Sequence, residues 1–299
     1  MNTGLQMTLQ VEVTDHSLPI LYPDRNMSNG TLFLFDGGRE LPTSLVSGSK
    51  IPNIATETSK TLVGATLDAD VNADLVVGAG FAGSIGKIEL TPKGGIHTII
   101  SQTLHTATIS QYAAAYLPTL IRDYIYTNRT HNFFISVWRR NTRVALTGAS
   151  SAKLDLLLLT TGVYLTQEVV STSSDDLRPS SGALLARRQA SPNALGDYIK
   201  NIAVNGPTGD PSTNATLAKS AASNAILACG GGLTAFTAGG LLNVSPSFVT
   251  YRVLIEDLTV SGRTYAQADA IDIAQFTDAF AIGGRFYGDT LPTNPSVIP

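Results

Sequence analysis

The chain offers few groups that could do chemistry, and their spacing decides what each could do. Its four histidines are His16, His97, His105 and His131. None stands in an H-x-x-x-H or H-E-x-x-H spacing, which would set two ring nitrogens on one helical face for a metal. They are expected to be surface or hydrogen-bonded groups, with a meeting of His97, His105 and Asp123 as the alternative. Asp68, Asp70 and Asp74 in LDADVNAD are oxygen ligands of the kind calcium takes. The glycine and the terminal glutamate of an EF-hand loop are missing, so a solvated turn is expected, with an irregular calcium site as the alternative. Cys229 is the single cysteine, which excludes an internal disulfide or a four-cysteine metal site.

Three short motifs resemble catalytic or nucleotide-binding signatures and fail on context. Gly78-Ala-Gly80-Phe-Ala-Gly83 has the G-x-G-x-x-G spacing and follows a strand. A dinucleotide site needs a helix next, whose N-terminus meets the pyrophosphate. GKIELTP reads as a strand instead, so a glycine-rich hairpin is expected. Ser150-Ser-Ala-Lys153 matches S-x-x-K, but no K-T-G element accompanies it. Ser84 in AGSIG approaches a nucleophile elbow, yet no histidine follows His131 to complete the order Ser, acid, His. Glu256 and Asp257 are adjacent in a strand and point to opposite faces, so they do not form the separated carboxylate pair of a glycoside hydrolase. No catalytic residue, metal ligand or cofactor-binding residue is assigned, no cofactor is expected, and the chain is read as not an enzyme.

Arg139, Arg140 and Arg143 follow Phe133, Phe134 and Trp138. Basic and aromatic residues together can grip single-stranded nucleic acid. The net charge of -3 argues against that, and the aromatics alternate as in a core strand. The arginines are expected to end a strand and pair with carboxylates. Arg187-Arg188 reads as a contact point or protease-sensitive loop. The N-x-S/T sequons at Asn26, Asn29, Asn128, Asn214 and Asn243 are read as chance products of a Ser/Thr/Asn-rich chain.

The elements that must position these groups read mainly as β-structure. TLFLFDGG at 31–38, TLVGATL, ADLVVGAG, GKIELTP, HNFFISVWRRN, LDLLLLTTG and VYLTQEVV alternate or run apolar between turn residues. In 133–138, Phe133, Ile135 and Val137 share one face and Phe134, Ser136 and Trp138 the other. FVTYRVLIEDLTVSGRTY alternates with Tyr251, Val253 and Ile255 opposite Arg252, Leu254 and Glu256. GGRFYGD reads as a last strand, and 40–60 as loop. The segment 107–127 has the apolar spacing of a helix, broken or kinked at Pro118. NATLAKSAASNAILAC and ASPNALGDYIKNIAV also read as helical.

At 299 residues the chain can build one large core without metal or disulfide. Only 14% of residues are charged and 43% are hydrophobic, which excludes a charge-driven disordered chain. No stretch is long and apolar enough to span a membrane, and no secretory leader is visible. Small, weakly charged side chains suit a subunit that buries much of its surface against others.

HNFFISVWRRN with its following strands resembles the central strand of concanavalin-like and laminin-G-like jelly rolls. YRVLIEDLTVSGRTY with GGRFYGD resembles that fold's closing strands. The Thr/Ser/Ala/Gly-rich texture, single cysteine and N-terminal arm resemble structural proteins of tailed bacteriophages, notably baseplate and tail components. The resemblance implies a mainly β, antiparallel two-sheet jelly-roll sandwich with a few helices. Its expected plan is an arm at 1–30, a sandwich over 31–299 with a partly helical insertion near 171–246, and an extended tail from about 290. The implied function is that of a virion structural protein, assembled in the host cytoplasm. Its expected partners are copies of itself and other virion proteins, with a host surface glycan as a further ligand, and neither nucleic acid nor membrane. A receptor- or glycan-binding module and a capsid or decoration protein are the alternatives.

Overall fold

The computed structural model describes residues 24–42, 44–105, 110–128, 131–143 and 247–299, together with the backbone of strands between 153 and 230. The strands are β1 (Thr31–Asp36), β2 (Lys50–Ile51), β3 (Ala73–Val77), β4 (Gly86–Leu90), β5 (Ile96–Ile100), β6 (Tyr112–Tyr116) and β7 (Phe133–Arg143). They continue as β8 (Lys153–Leu159), β9 (Gly162–Glu168), β10 (Asp176–Leu177), β11 (Leu184–Arg188), β12 (Tyr198–Asn205), β13 (Ala225–Gly230) and β14 (Ser247–Asp257). The α-helices are α1 (Thr56–Val63), α2 (Thr119–Thr127), α3 (Leu258–Ser261) and α4 (Tyr265–Phe280). The chain is mainly β with few helices, and every strand pair among the described residues is antiparallel.

The larger sheet runs β10-β11-β12-β7-β14-β5-β4, with β1 also on β14. The long strand β14 has β7 along one edge. Its other edge is shared end to end, by β5 at residues 248–250 and by β1 at 252–256. The smaller sheet runs β13-β6-β3-β2, and β8 pairs with β9. One face of the larger sheet, with Phe33, Phe35, Phe133, Ile135, Val253 and Ile255, shares a core with Ile51, Ala73, Leu75, Ala113 and Ala115 of the smaller sheet. Ile121 and Ile125, one turn apart on α2, enter the same core.

The opposite face of the larger sheet is covered by α4 and by the turns that follow it. Trp138, Val249 and Tyr251 pack with Phe276, Ala279, Phe280 and Phe286. Strand β14 ends where Asp257 accepts hydrogen bonds from the backbone N–H groups of Thr259 and Val260 and so caps α3. Helix α4 opens on a capping box, in which Thr264 and Gln267 satisfy each other's backbone donors. Beside β1, the Asn53 side chain accepts from Leu34 N and Ala55 N and donates to the carbonyls of Leu32 and Val71. That bridge ties the edge strand to the loop leading into α1. Gly37 and Gly94 touch so closely that a Cβ on Gly37 would lie 2.0 Å from the Gly94 carbonyl oxygen, so only glycine fits there.

Several sequence expectations are corrected. The helix expected over 107–127 is a strand, β6, followed by α2, with Pro118 as the N-cap residue. The small side chains of Ala113, Ala114 and Ala115 let β6 sit between β3 and β13, and Pro118 begins the helix rather than kinking it. The loop expected at 40–60 and the strand expected from TLVGATL contain α1, which ends at Gly64 in the left-handed conformation (φ 70°). Residues 198–204 and 225–229, expected to be helical, lie in β12 and β13, which join the larger and smaller sheets. The rest of 171–246 lies outside the described residues, apart from β10 and β11. GGRFYGD forms turns, not a strand. In β14 a β-bulge at Thr250–Arg252 places Tyr251 with Trp138 and Phe286, on the same side as Arg252. Strict alternation had set them on opposite faces.

Candidate functional site

The densest group of polar side chains lies between the larger sheet and α4, around Arg252 on β14. A guanidinium buried at 0% exposure needs charged partners, because the interior otherwise disfavours its charge. Arg252 donates to Asp24 through two nitrogens, at 3.0 and 2.8 Å, a bidentate pairing. It also donates to Asp36 at the end of β1, at 2.6 Å. Arg285 donates to the same Asp36 oxygen, and Gln275 of α4 donates to Asp24. Burial alone would raise the Asp24 pKa, but the Arg252 charge and hydrogen bonds outweigh it and hold the carboxyl well below its usual range. Both guanidinium groups face the Trp138 ring, Arg252 at 4.8 Å and Arg285 at 5.4 Å from its centroid.

A third buried carboxylate completes this layer. Asp272 of α4 accepts from Ser136 (2.6 Å), Asn26 (2.9 Å) and the Trp138 indole N–H (3.2 Å). Nearby, Glu256 accepts from Ser28 at 2.7 Å and faces Arg263 at 3.5 Å. Burial pushes its pKa up, and these two partners do not fully offset that. Arg263 also donates to the carbonyls of Asn26 and Met27. The outcome is mechanical: residues 24–28 are fastened across β14 and α4 by charges.

Two histidine centres stand apart. His131 Nδ1 lies 2.6 Å from Asp257 Oδ2, which also accepts from the Tyr124 hydroxyl at 3.0 Å. Burial, then the Asp257 charge, raise the Tyr124 pKa. This pair orients an imidazole as a general base would need, but no hydroxyl or thiol among the described residues is hydrogen-bonded to the ring's other nitrogen. His97, fully buried, sits between Glu89 and Thr142, both at 3.0 Å. Burial lowers its pKa more than Glu89 raises it.

The sequence-derived candidates do not converge on one site. His105 meets the Gln111 carbonyl, and His97 meets Glu89 rather than His105 and Asp123. Asp68 pairs with Lys60 at 2.8 Å and Asp74 with Lys50 at 2.5 Å. Among the described residues no group of three His, Cys, Asp or Glu side chains could hold a metal ion. The Gly78–Gly83 stretch is not a hairpin, because it crosses from β3 in the smaller sheet to β4 in the larger one. Ser84 is exposed in a turn there.

Arg139 is buried, 6.0 Å from the Phe248 ring centroid. Arg140 donates to the Asp289 carbonyl and Arg143 to the carbonyls of Ile100, Pro295 and Ile298. Both hold backbone of the segment after α4. Arg187 and Arg188 lie in β11 rather than in a loop. Asn26 is buried on Asp272, Asn29 is exposed, and Asn128 bonds to the Tyr124 carbonyl. His16, Ser150, Asn214 and Asn243 lie outside the described residues.

Sequence reasoning missed Asp24, Asp36, Asp272 and Arg285. The usable signal was opposite charge at inward positions: Arg252 among apolar β14 residues and Asp272 on the covered side of α4.

No known protein family and no curated protein matches the sequence. Among solved structures, similarity extends to binding domains of botulinum neurotoxins. One is the domain of neurotoxin DC in complex with rat synaptotagmin II, at 11% identity over 85% of this chain and 54% of that one, with a TM-score of 0.27. Another is neurotoxin type C, whose cell entry depends upon interaction with two ganglioside molecules, at 9% identity over 84% and 53%, with a TM-score of 0.31. A third is the serotype D/C VPI 5993 binding domain, at 11% identity over 77% and 48%, with a TM-score of 0.23. The chain spans about half the length of these structures. Scores this low do not establish a shared fold. Among the described residues no helix is long and apolar enough to cross a membrane.

Proposed function

We propose that the protein is a structural subunit that works by packing against other proteins, in a viral particle of the tailed-phage type, as a baseplate or tail component. A jelly-roll connectivity of its two main sheets is part of that reading. The observation that carries it is how the charged groups are used. Asp24, Asp36, Glu256, Arg140, Arg143, Arg252 and Arg263 each bind a distant segment of the same chain. They rigidify a scaffold, and apolar side chains such as Ile282 (86% exposed) and Tyr287 (45%) stand exposed on the turn after α4. The phage assignment draws on the sequence texture.

Light scattering after size exclusion at two concentrations tests the reading. A defined trimer, hexamer or larger ring is expected. A monomer at every concentration overturns self-assembly and moves the weight to a ligand-binding module.

A further inference from the structure

Helix α4 turns its acidic side inward and an apolar side out. Asp269, Asp272 and Gln275 are buried, whereas Ala266, Ala270, Ile273, Ala274, Thr277 and the C-cap residue Ala281 stand exposed. At about 3.6 residues per turn, these six positions fall within an arc of about 100°. That is the width of the apolar stripe by which a surface helix ordinarily meets a core. The stripe has a large apolar side chain at its centre, Ile273 (42% exposed), and another just past its end, Ile282 (86%). Asp278 is the single charge among the exposed positions of α4, and it lies at the margin of the arc.

We infer that this stripe packs on the same stripe of a second copy, as an antiparallel helix pair. The spacing of its members is self-complementary. A two-fold axis between Ile273 and Ala274 sets Ile273 against the partner's Ala274, Ala270 against the partner's Thr277, and Ala266 against the partner's Ala281. Every member of the stripe therefore meets another member, as an isologous contact requires. The large side chain at the centre meets a small one, and the alanines let the two axes approach to about 8 Å. Charge selects the same orientation. In the antiparallel register the two copies of Asp278 stand nine residues apart along the pair, about 13 Å. That exceeds the roughly 8 Å over which exposed charges interact at physiological salt. A parallel pair would set the two carboxylates side by side.

The contact deepens the assembly reading above and rests on it. The 16 residues of α4 span about 24 Å. A strip of that length and one helix wide covers less than the roughly 800 Å² per partner of a stable dimer. The helix pair is therefore one contact among those of an assembly, weak in isolation, and a covalent trap is the way to read it.

The test uses the full chain with Cys229→Ala and two further variants, Ala270→Cys and Thr277→Cys, each in a separate preparation. Both positions are exposed on α4. The two are mixed at high concentration, oxidised and run on a non-reducing gel. The expected result is a disulfide-linked pair several-fold more abundant than either variant gives alone, because each cysteine meets the other's position and not its own. Adding Ile273→Asp to both chains should abolish the excess. No excess in the mixture, an equal yield from one variant alone, or an excess that survives Ile273→Asp each overturns the antiparallel contact. Wild-type light scattering separates this inference from the assembly reading. A defined oligomer without the disulfide excess overturns the helix contact alone, and a monomer without it overturns both. A monomer that still gives the excess keeps the contact and overturns the larger assembly.

Discussion

The two faces of the larger sheet are built from the same strands yet held by different forces. Toward the smaller sheet, Phe33, Phe35, Ile135 and Ile255 meet other apolar side chains, and burial itself supplies the stabilisation. Toward α4, Arg252, Asp36, Ser136 and Glu256 lie among Trp138, Tyr251 and Leu254, so that face depends on each charge keeping its partner. The apolar face tolerates volume changes in proportion to the cavity they leave. The ionic face responds member by member, and removing Arg252 takes the main counter-charge from two buried carboxylates at once.

The largest effect should come from breaking the ionic face at its centre. Arg252→Met leaves Asp24 and Asp36 buried without their shared cation, and urea unfolding should show a loss of about 4 kcal/mol. Ile135→Ala on the opposite face should cost about 3 kcal/mol. A neutral Arg252→Met with a damaging Ile135→Ala would erase the contrast between the faces.

Acid titration separates two carboxylates of the ionic face. The folded-state pKa of Asp24 is depressed, so its contribution is present above its ordinary value of 3.8 and is lost as pH falls through the folded value. Glu256 is raised, so its contribution is present below its ordinary value of 4.5 and is lost as pH rises through the folded value. Urea midpoints measured from pH 7 downward should therefore show Asp24→Asn clearly destabilised at neutral pH, with the gap to wild type closing below about pH 4. Glu256→Gln should be no less stable than wild type at pH 7. A Glu256→Gln variant much weaker than wild type at pH 7 would show that Arg263 outweighs burial there. The cap of α4 should matter less than Arg252 or Ile135: Thr264→Ala should cost about 1 kcal/mol by thermal unfolding.

How much of this was legible follows from what each face presents in one dimension. Alternation in TLFLFD, ADLVV, GKIEL and HNFFISVW located β1, β3, β4 and β7, and the two-faced character of β7 was readable from Phe133–Trp138. Helix α4 is not legible in the sequence, because its buried side includes Asp269, Asp272 and Gln275. A covered face made of polar residues has no apolar period to detect. Strand β6 reads as a helix because Tyr-Ala-Ala-Ala-Tyr satisfies helical spacing, and only the neighbouring strands decide otherwise. The bulge at Tyr251 leaves no mark in an alternating sequence.

What the sequence determined alone was class and limits: a mainly β chain, too weakly charged for charge-driven disorder, with one cysteine and no histidine pair spaced for metal. These follow from composition and local period, which need no partner. The tertiary structure decided everything that depends on meeting at a distance. Asp24 and Asp36 reach Arg252 across 228 and 216 positions, and Thr293 reaches Glu89 across 204. A buried charge is stable only where its counter-charge arrives, and that arrival is fixed by strand pairing, not by neighbours in the chain.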